Sequence, residues 1–136
     1  METNLDYFQK PLKLDIHEYS PLTLAFIGDS VYELYIRAML VGKINAPVDM
    51  LHKKAVSYVK ASAQCDAYDR ILPHLTEQEI TMFKRGRNAK VNTKAKNAGL
   101  AEYKKATGFE TLLGYLFVTK QNERLYELLE IAVGIE

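Results

Sequence analysis

Apolar residues recur at helical spacing along most of the chain, and no stretch keeps the strict alternation of a half-buried β-strand. The most apolar stretch runs from Leu24 to Val41 and follows Ser20-Pro21. A serine that caps free amides and a proline at the first helical position are typical of a helix start. Gly42 stands where such a helix would stop. The pattern predicts a largely buried helix of about 20 residues.

Shorter helices are predicted beyond this one. Apolar residues at near-helical spacing favour a single amphipathic helix over 48–69. The segment Thr76-Glu77-Gln78-Glu79 has the capping-box pattern that opens a helix. Residues 84–97 are polar, basic and almost free of large apolar side chains, which favours a loop or a weak helix.

Apolar periodicity returns from Leu100 onward. Thr107-Gly108 is expected to interrupt the chain before a helix over 109–119, and a last helix is expected over 122–133. We therefore predict an all-α fold in which these helices pack as a bundle.

The 136 residues suit one domain with a single core, so we predict one domain over 1–136. No stretch has the roughly 18 apolar residues that span a bilayer, and the first residues lack the layout of a secretory signal. A cytoplasmic protein with no membrane partner is therefore expected. Cys65 is the only cysteine, which excludes an intrachain disulfide and favours a small buried hydrophobe.

The net charge of +1 hides a strong asymmetry along the sequence. Eight basic residues and one acidic residue lie between Lys84 and Lys105, so this window carries +7 while the rest of the chain carries −6. A local excess of positive charge predicts an anionic partner that meets one surface of the protein.

Two acidic residues stand out because each lies alone among apolar neighbours. Asp29 lies within Phe26-Ile27-Gly28-Asp29-Ser30-Val31, where burying an ionised carboxylate would be costly. The small residues Ala25, Gly28 and Ser30 around it are expected to leave room for a ligand to approach. The alternative is that Asp29 pairs with a basic side chain elsewhere, as buried acids commonly do.

Glu110 lies in a second apolar stretch, Phe109-Glu110-Thr111-Leu112-Leu113-Gly114, with small residues one turn away at Thr107 and Gly114. Taken alone, it is most simply explained as a first-turn acid that favours the helix dipole. Two isolated carboxylates beside small residues instead favour a shared metal site. Magnesium suits such a pair, because it keeps several waters and takes few protein ligands.

These two stretches resemble the two catalytic helices of the ribonuclease III family. The likeness is greater to the bacterial form called Mini-ribonuclease III, which has the catalytic domain without a double-stranded RNA-binding domain. Besides 24–34 and 109–116, the blocks 51–64 and Arg85-Gly86-Arg87-Asn88-Ala89-Lys90 match in order. The resemblance implies a homodimeric helical domain that cuts both strands of an RNA duplex, leaving 5′-phosphates and short 3′ overhangs.

The resemblance places the catalytic, metal-binding acids at Asp29 and Glu110, with Mg²⁺ as the cofactor. Two further acids of full-length ribonuclease III enzymes are replaced here by Ala25 and Thr107. The substrate that the resemblance implies is precursor 23S ribosomal RNA. Whether a large-subunit ribosomal protein presents that RNA is left open.

RNA affinity is expected from the basic segment, because A-form RNA is recognised mainly through phosphates, 2′-hydroxyls and shape. Its basic side chains would contact phosphates, and its asparagines would reach hydroxyls or base edges. The predicted RNA-binding residues are Lys84, Arg85, Arg87, Asn88, Lys90, Asn92, Lys94 and Lys96.

Two other classes of function fit parts of the pattern. A helical module that binds structured RNA without cutting it would explain the basic segment equally well, but it gains nothing from carboxylates near the phosphate path. A structural helical dimer whose charge asymmetry serves a protein partner would bind no RNA. Magnesium-dependent cleavage of a plain duplex separates the enzyme from both.

Overall fold

The chain folds into packed α-helices, as the sequence predicts. The computed structural model describes residues 7–90 and 98–134, and within them it contains six α-helices and no β-strand. These are α1 (Pro21–Lys43), α2 (Val48–Val59), α3 (Ala61–Ile71), α4 (Glu77–Arg87), α5 (Ala98–Val118) and α6 (Asn122–Val133). Short 3₁₀ turns, Ile16–Glu18 and Leu72–His74, precede α1 and α4.

Helix α1 begins where the sequence predicts and ends slightly later. The Ser20 hydroxyl accepts a hydrogen bond from the amide of Leu22 at 3.2 Å, and Pro21 is the first helical residue. Gly42 does not end the helix, which continues to Lys43. The reason is that Gly42 does not take the left-handed conformation with which a glycine terminates a helix.

The single helix predicted over 48–69 is wrong, because the chain forms α2 and α3 with a break at Lys60. The backbone of Lys60 is extended, at φ −65° and ψ 156°. The Gln64 side-chain amide donates a 2.8 Å hydrogen bond to the carbonyl of Val59, one of the groups left open at the end of α2. Periodicity did not reveal the break because both halves have apolar residues at similar spacing.

The capping box predicted at the start of α4 is confirmed. The Thr76 hydroxyl accepts from the amide of Glu79 at 3.2 Å, and the Glu79 carboxylate accepts from the amide of Thr76 at 2.9 Å. Helix α4 extends to Arg87, so the beginning of the basic segment is helical rather than a loop.

Helix α5 lies at the centre of the bundle and packs against α1, α3, α4 and α6. The break predicted at Thr107-Gly108 is wrong, since α5 is continuous through both residues. Gly108 serves close packing instead, because a Cβ there would lie 2.7 Å from the carbonyl oxygen of Phe83 in α4. The fully buried apolar side chains of α5 form the middle of the core: Phe109, Leu112, Leu113 and Leu116.

The two ends of the described chain are tied to this core. Gln9, which is 3% exposed, donates to the carbonyl of Phe117 at 2.9 Å and shares hydrogen bonds with Asn122. Helix α6 has the predicted bounds and ends at Gly134, whose φ of 73° is the left-handed helix-ending conformation. Cys65 is buried, as predicted. No helix in 7–90 or 98–134 is both long and apolar enough to cross a membrane.

Candidate active site

A close crossing of α1 and α5 brings Asp29 and Glu110 together. A Cβ on Gly28 would overlap the carbonyl oxygen of Glu110, and a Cβ on Gly114 would overlap the carbonyl oxygen of Leu24. Only glycine permits this backbone-to-backbone approach. The prediction that the small residues beside Asp29 leave room for a ligand is therefore wrong for Gly28, because α5 fills that space.

Asp29 follows Gly28 directly, and its side chain is exposed, whereas the Glu110 side chain is partly buried. The two carboxyl groups lie close enough for Asp29 to act on the ionisation of Glu110. Burial and then the neighbouring Asp29 raise the pKa of the Glu110 carboxyl above its ordinary value, while a hydrogen bond from Gln64 acts in the opposite direction. The site thus presents one solvent-accessible and one sheltered carboxyl group.

Within the described residues, neither alternative that the sequence left open is observed. Glu110 lies in the middle of α5, far from the first turn, so its position is not explained by the helix dipole. Within the described residues Asp29 forms no ion pair with a basic side chain. Arg37, on the same face of α1, is instead paired with Glu33 at 2.9 Å.

The two positions where the family resemblance would place further acids contribute no charge. Ala25 is 7% exposed, and the buried Thr107 hydroxyl donates to the carbonyl of Tyr103 at 2.9 Å. No group of three or more His, Cys, Asp or Glu side chains suited to a metal occurs in the described parts of the chain. A pair of carboxylates of this kind would suit an ion that completes its shell with water and substrate oxygens.

Gln64 is a candidate functional residue that the sequence analysis did not single out. Its side chain is 4% exposed, and its Nε2 donates to Oε2 of Glu110 at 3.2 Å as well as to the carbonyl of Val59. The only sign in the sequence was its position at the end of the block 51–64 that resembles the family.

The residues predicted to bind RNA differ in how exposed their side chains are and in the contacts that they already make. Lys84, Asn88 and Lys90 are exposed at the end of α4, and the Arg87 guanidinium lies 5.7 Å from the centre of the Phe83 ring. Arg85 is half-buried and donates to the carbonyl of Tyr19 at 2.9 Å, so it also holds the segment before α1 in place. The remaining three predicted residues, Asn92, Lys94 and Lys96, lie outside the described residues.

The basic end of α4 lies beside the part of α5 that carries Glu110. A Cβ on Gly86 would overlap the hydroxyl oxygen of Thr111, the residue after Glu110. The end of α4 is therefore held against the turn of α5 that contains Thr111.

An apolar face lies along α1 on the outside of the bundle. Phe26 is 80% exposed and Leu34 is 68% exposed, which is unusual for such large side chains. Beside them lies a groove of about 400 Å³ between α1, α5 and α6. Its lining is almost entirely apolar and includes Phe8, Ile27, Val31, Leu34, Tyr35 and Tyr126.

Comparison with known proteins gives matches along most of the chain. The family model described as the ribonuclease III domain matches residues 22–121. A Mini-ribonuclease 3 of Thermoanaerobacter sp. (strain X514) is 51% identical over 116 residues, 85% of this chain and 82% of the relative. A Mini-ribonuclease 3 of Clostridium tetani is 46% identical over 124 residues, 90% of this chain and 82% of the relative. The crystal structure of a Fusobacterium nucleatum protein, 31% identical, superposes with a TM-score of 0.78 and covers 88% of this chain and 95% of that one.

Proposed function

Since the chain belongs to the ribonuclease III family and is therefore an endoribonuclease, we propose that it cleaves double-stranded RNA with Mg²⁺ held by Asp29 and Glu110. The family acts on RNA and generally depends on divalent metal ions. Family membership also decides against the two non-enzymatic alternatives. The observation that carries the proposal is the pair of carboxyl groups held together at the α1–α5 crossing.

The two carboxylates fit a divalent cation on electrostatic grounds. Like charges in contact repel, and a cation between them relieves that repulsion. When bound, the cation would neutralise charge that develops on the phosphate oxygens and lower the pKa of water at the site. Glu110 offers a carboxylate fixed by α5 and Gln64, and Asp29 offers one that a phosphate can approach from solvent.

Removal of either carboxylate tests this assignment. Asp29→Asn and Glu110→Gln should each lower the rate of Mg²⁺-dependent cleavage of duplex RNA by at least about 100-fold, the usual scale for losing a group that stabilises the transition state. Glu102→Gln is the matched control, because Glu102 is an exposed acid on the same helix as Glu110. Near-normal cleavage by a folded Asp29→Asn or Glu110→Gln protein at saturating Mg²⁺ would contradict the assignment.

The duplex is proposed to lie across the basic end of α4, where Lys84, Arg87, Asn88 and Lys90 face away from the core or lie at its edge. This end of α4 packs through Gly86 on Thr111, the residue that follows Glu110 in α5. Phosphates bound there would extend toward the Asp29 carboxylate. We expect affinity to fall steeply with salt, because each phosphate contact releases counterions.

A second copy of the chain is proposed to cover the apolar face of α1. The exposed Leu34 side chain lines the apolar groove, and the exposed Phe26 side chain lies about two turns earlier on the same helix. A two-fold dimer requires such a self-complementary patch, in which one surface supplies both the protruding side chains and the recess that receives them. Two sites in one dimer would allow both strands of a duplex to be cut.

Sedimentation equilibrium tests the dimer. The wild-type protein should sediment at twice the chain mass of 15.5 kDa, and Phe26→Lys should sediment as a monomer. Tyr103→Lys is the control, because Tyr103 is a large exposed side chain on α5 that does not line the groove. A dimeric Phe26→Lys protein would show that this face is not the interface.

Precursor 23S ribosomal RNA is the substrate that we propose in the cell, from the family resemblance. Cells depleted of the protein should accumulate 23S RNA with extended, base-paired ends, and the purified protein should trim that RNA. Trimming of naked RNA and of RNA carrying large-subunit ribosomal proteins should be compared. Faster trimming of the second substrate would identify a protein partner.

A further inference from the structure

Gln64 makes a buried polar connection between the start of α3, the end of α2 and Glu110. Its Nε2 donates to the carbonyl of Val59 at 2.8 Å and to Oε2 of Glu110 at 3.2 Å. Its Oε1 is buried and has no hydrogen-bond partner among the described residues. A buried amide oxygen without a partner is uncommon, because leaving it without a hydrogen bond costs free energy. The two hydrogen bonds that Nε2 donates must therefore offset that cost.

The orientation of this amide is fixed by its two acceptors. Both hydrogens of Nε2 face oxygen atoms, one on the Val59 carbonyl and one on the Glu110 carboxylate. Rotating the amide by 180° would place Oε1 against two other acceptors and lose both hydrogen bonds. Gln64 is therefore able to hold one carboxylate oxygen of Glu110 in a defined place.

The break between α2 and α3 at Lys60 is what allows the Gln64 side chain to bond the Val59 carbonyl. In a continuous helix the carbonyl of Val59 would bond a backbone amide one turn later. With Lys60 extended, that carbonyl is open, and the Gln64 side chain bonds it and Glu110 together. The same break thus accounts for the split helix and for the position of the glutamine.

No further acidic side chain stands beside Asp29 and Glu110 at the two positions that the family resemblance would predict. At the two positions where the family resemblance would place acids, Ala25 has no polar group and the Thr107 hydroxyl is bonded to Tyr103. With only two carboxylates to hold a cation, the direction in which Glu110 points has a larger effect on binding. A neutral hydrogen-bond donor orients it without adding repulsion.

We propose that Gln64 is a positioning residue, which orients the Glu110 carboxylate so that it and Asp29 bind one divalent cation together. The proposal rests on the proposed function of these acids, and it assigns Gln64 no contact with RNA. Loss of hydrogen-bonded groups behind metal ligands commonly costs 10- to 100-fold in metal affinity or activity. A residue that acts only on folding would not change the metal dependence.

The first test is Gln64→Met, which keeps side-chain length and removes both hydrogens. Calorimetric titration of Mg²⁺ without RNA should give an affinity at least about 10-fold weaker than wild type. The Mg²⁺ concentration for half-maximal cleavage should rise in parallel, with the KM for RNA unchanged. Gln78→Met is the control, because Gln78 also donates a side-chain hydrogen bond, to the Tyr115 hydroxyl at 2.8 Å, away from the acids. Equal Mg²⁺ affinity in folded Gln64→Met and wild type would overturn the proposal.

The second test needs no variant of Gln64. In ¹⁵N-labelled wild-type protein, the side-chain amide resonances of Gln64 should shift as Mg²⁺ is added, and those of Gln78 should not. Gln64 resonances that stay in place while the cation binds would overturn the positioning role and leave the function of the acids intact. A wild-type protein that neither binds Mg²⁺ nor cleaves duplex RNA would overturn both.

Discussion

Replacing Gly28 by alanine is expected to push α1 away from α5 and so to separate the two acids. The new Cβ would overlap the carbonyl oxygen of Glu110 and lie 2.8 Å from the amide nitrogen of Gly114, where atoms in contact need about 3.5 Å. All of these atoms belong to the backbone, so no side chain can rotate to make room. The helices would have to separate by on the order of 1 Å.

The size of the effect follows from this displacement. Overpacking a core costs about 1–3 kcal/mol, and for a domain of this size each kcal/mol lowers Tm by roughly 3–5 °C. Misplacement of a catalytic group by about 1 Å can cost on the order of 100-fold in rate. We therefore expect Gly28→Ala to melt roughly 3–15 °C below wild type and to cleave duplex RNA about 100-fold more slowly while still folded.

Circular dichroism melting and duplex cleavage well below Tm measure the two effects separately. Gly42→Ala is the matched control on the same helix, since a Cβ there meets nothing within 4 Å. It should raise stability by up to about 1 kcal/mol, because alanine is the better helix former. If Gly28→Ala behaved like Gly42→Ala in both assays, the glycine crossing would not determine the geometry of the site.

Three further outcomes follow from charges in the structure. Glu79→Gln removes one of the two carboxylates that pair with Arg124, the other being that of Glu127, and should cost about 2 kcal/mol. Burial raises the pKa of the Glu79 carboxyl, but hydrogen bonds led by that from Arg124 outweigh burial and lower it below 4.5. The stability that this carboxylate supplies is thus complete near neutral pH, and it is lost as pH falls through the lowered pKa. The Tm of the wild-type protein should therefore fall more steeply in acid than the Tm of Glu79→Gln. Asp29→Asn should raise Tm in metal-free buffer by relieving repulsion with Glu110, and added Mg²⁺ should stabilise wild type far more than this variant. Lys90→Ala should lower the slope of log affinity for duplex RNA against log salt by about 1.

Each of these outcomes has a matched comparison. Equal acid sensitivity of Glu79→Gln and wild type would contradict the ion-pair argument. Mg²⁺ stabilisation that is the same with and without the Asp29 carboxylate would place the cation elsewhere. Lys43→Ala removes an exposed lysine from the far end of α1, so a salt slope reduced equally by Lys43→Ala and Lys90→Ala would indicate no localised docking surface.

Local sequence signals predicted the helices whose ends are determined by local chemistry. Ser20-Pro21, the Thr76 capping box and the bounds of α6 all depend on hydrogen bonds within a few residues, and all three are confirmed. The break at Lys60 and the continuity of α5 depend instead on distant partners. Gly108 is a poor helix former in isolation, but in the fold its missing side chain admits Phe83.

The same distinction applies to the site. Isolated acids in apolar stretches identified Asp29 and Glu110 as candidates, and the structure brings them together. The use of the flanking glycines for helix contact was not predictable, because a glycine beside an acid looks the same whether a ligand or a backbone approaches it. Gln64 was missed because a glutamine in an amphipathic helix gives no signal until its buried partners are known.

The central place of α5 limits where this protein can be flexible. Because α5 packs against four other helices, the turn that carries Glu110 cannot open without disrupting most of the core. The backbone amide hydrogens of this turn should therefore exchange with solvent only when the whole molecule unfolds, and so at the slowest rate in the protein. Any adjustment to differently shaped duplexes would then come from the outer helices, with Glu110, the proposed metal ligand, as the rigid point against which the RNA would be aligned.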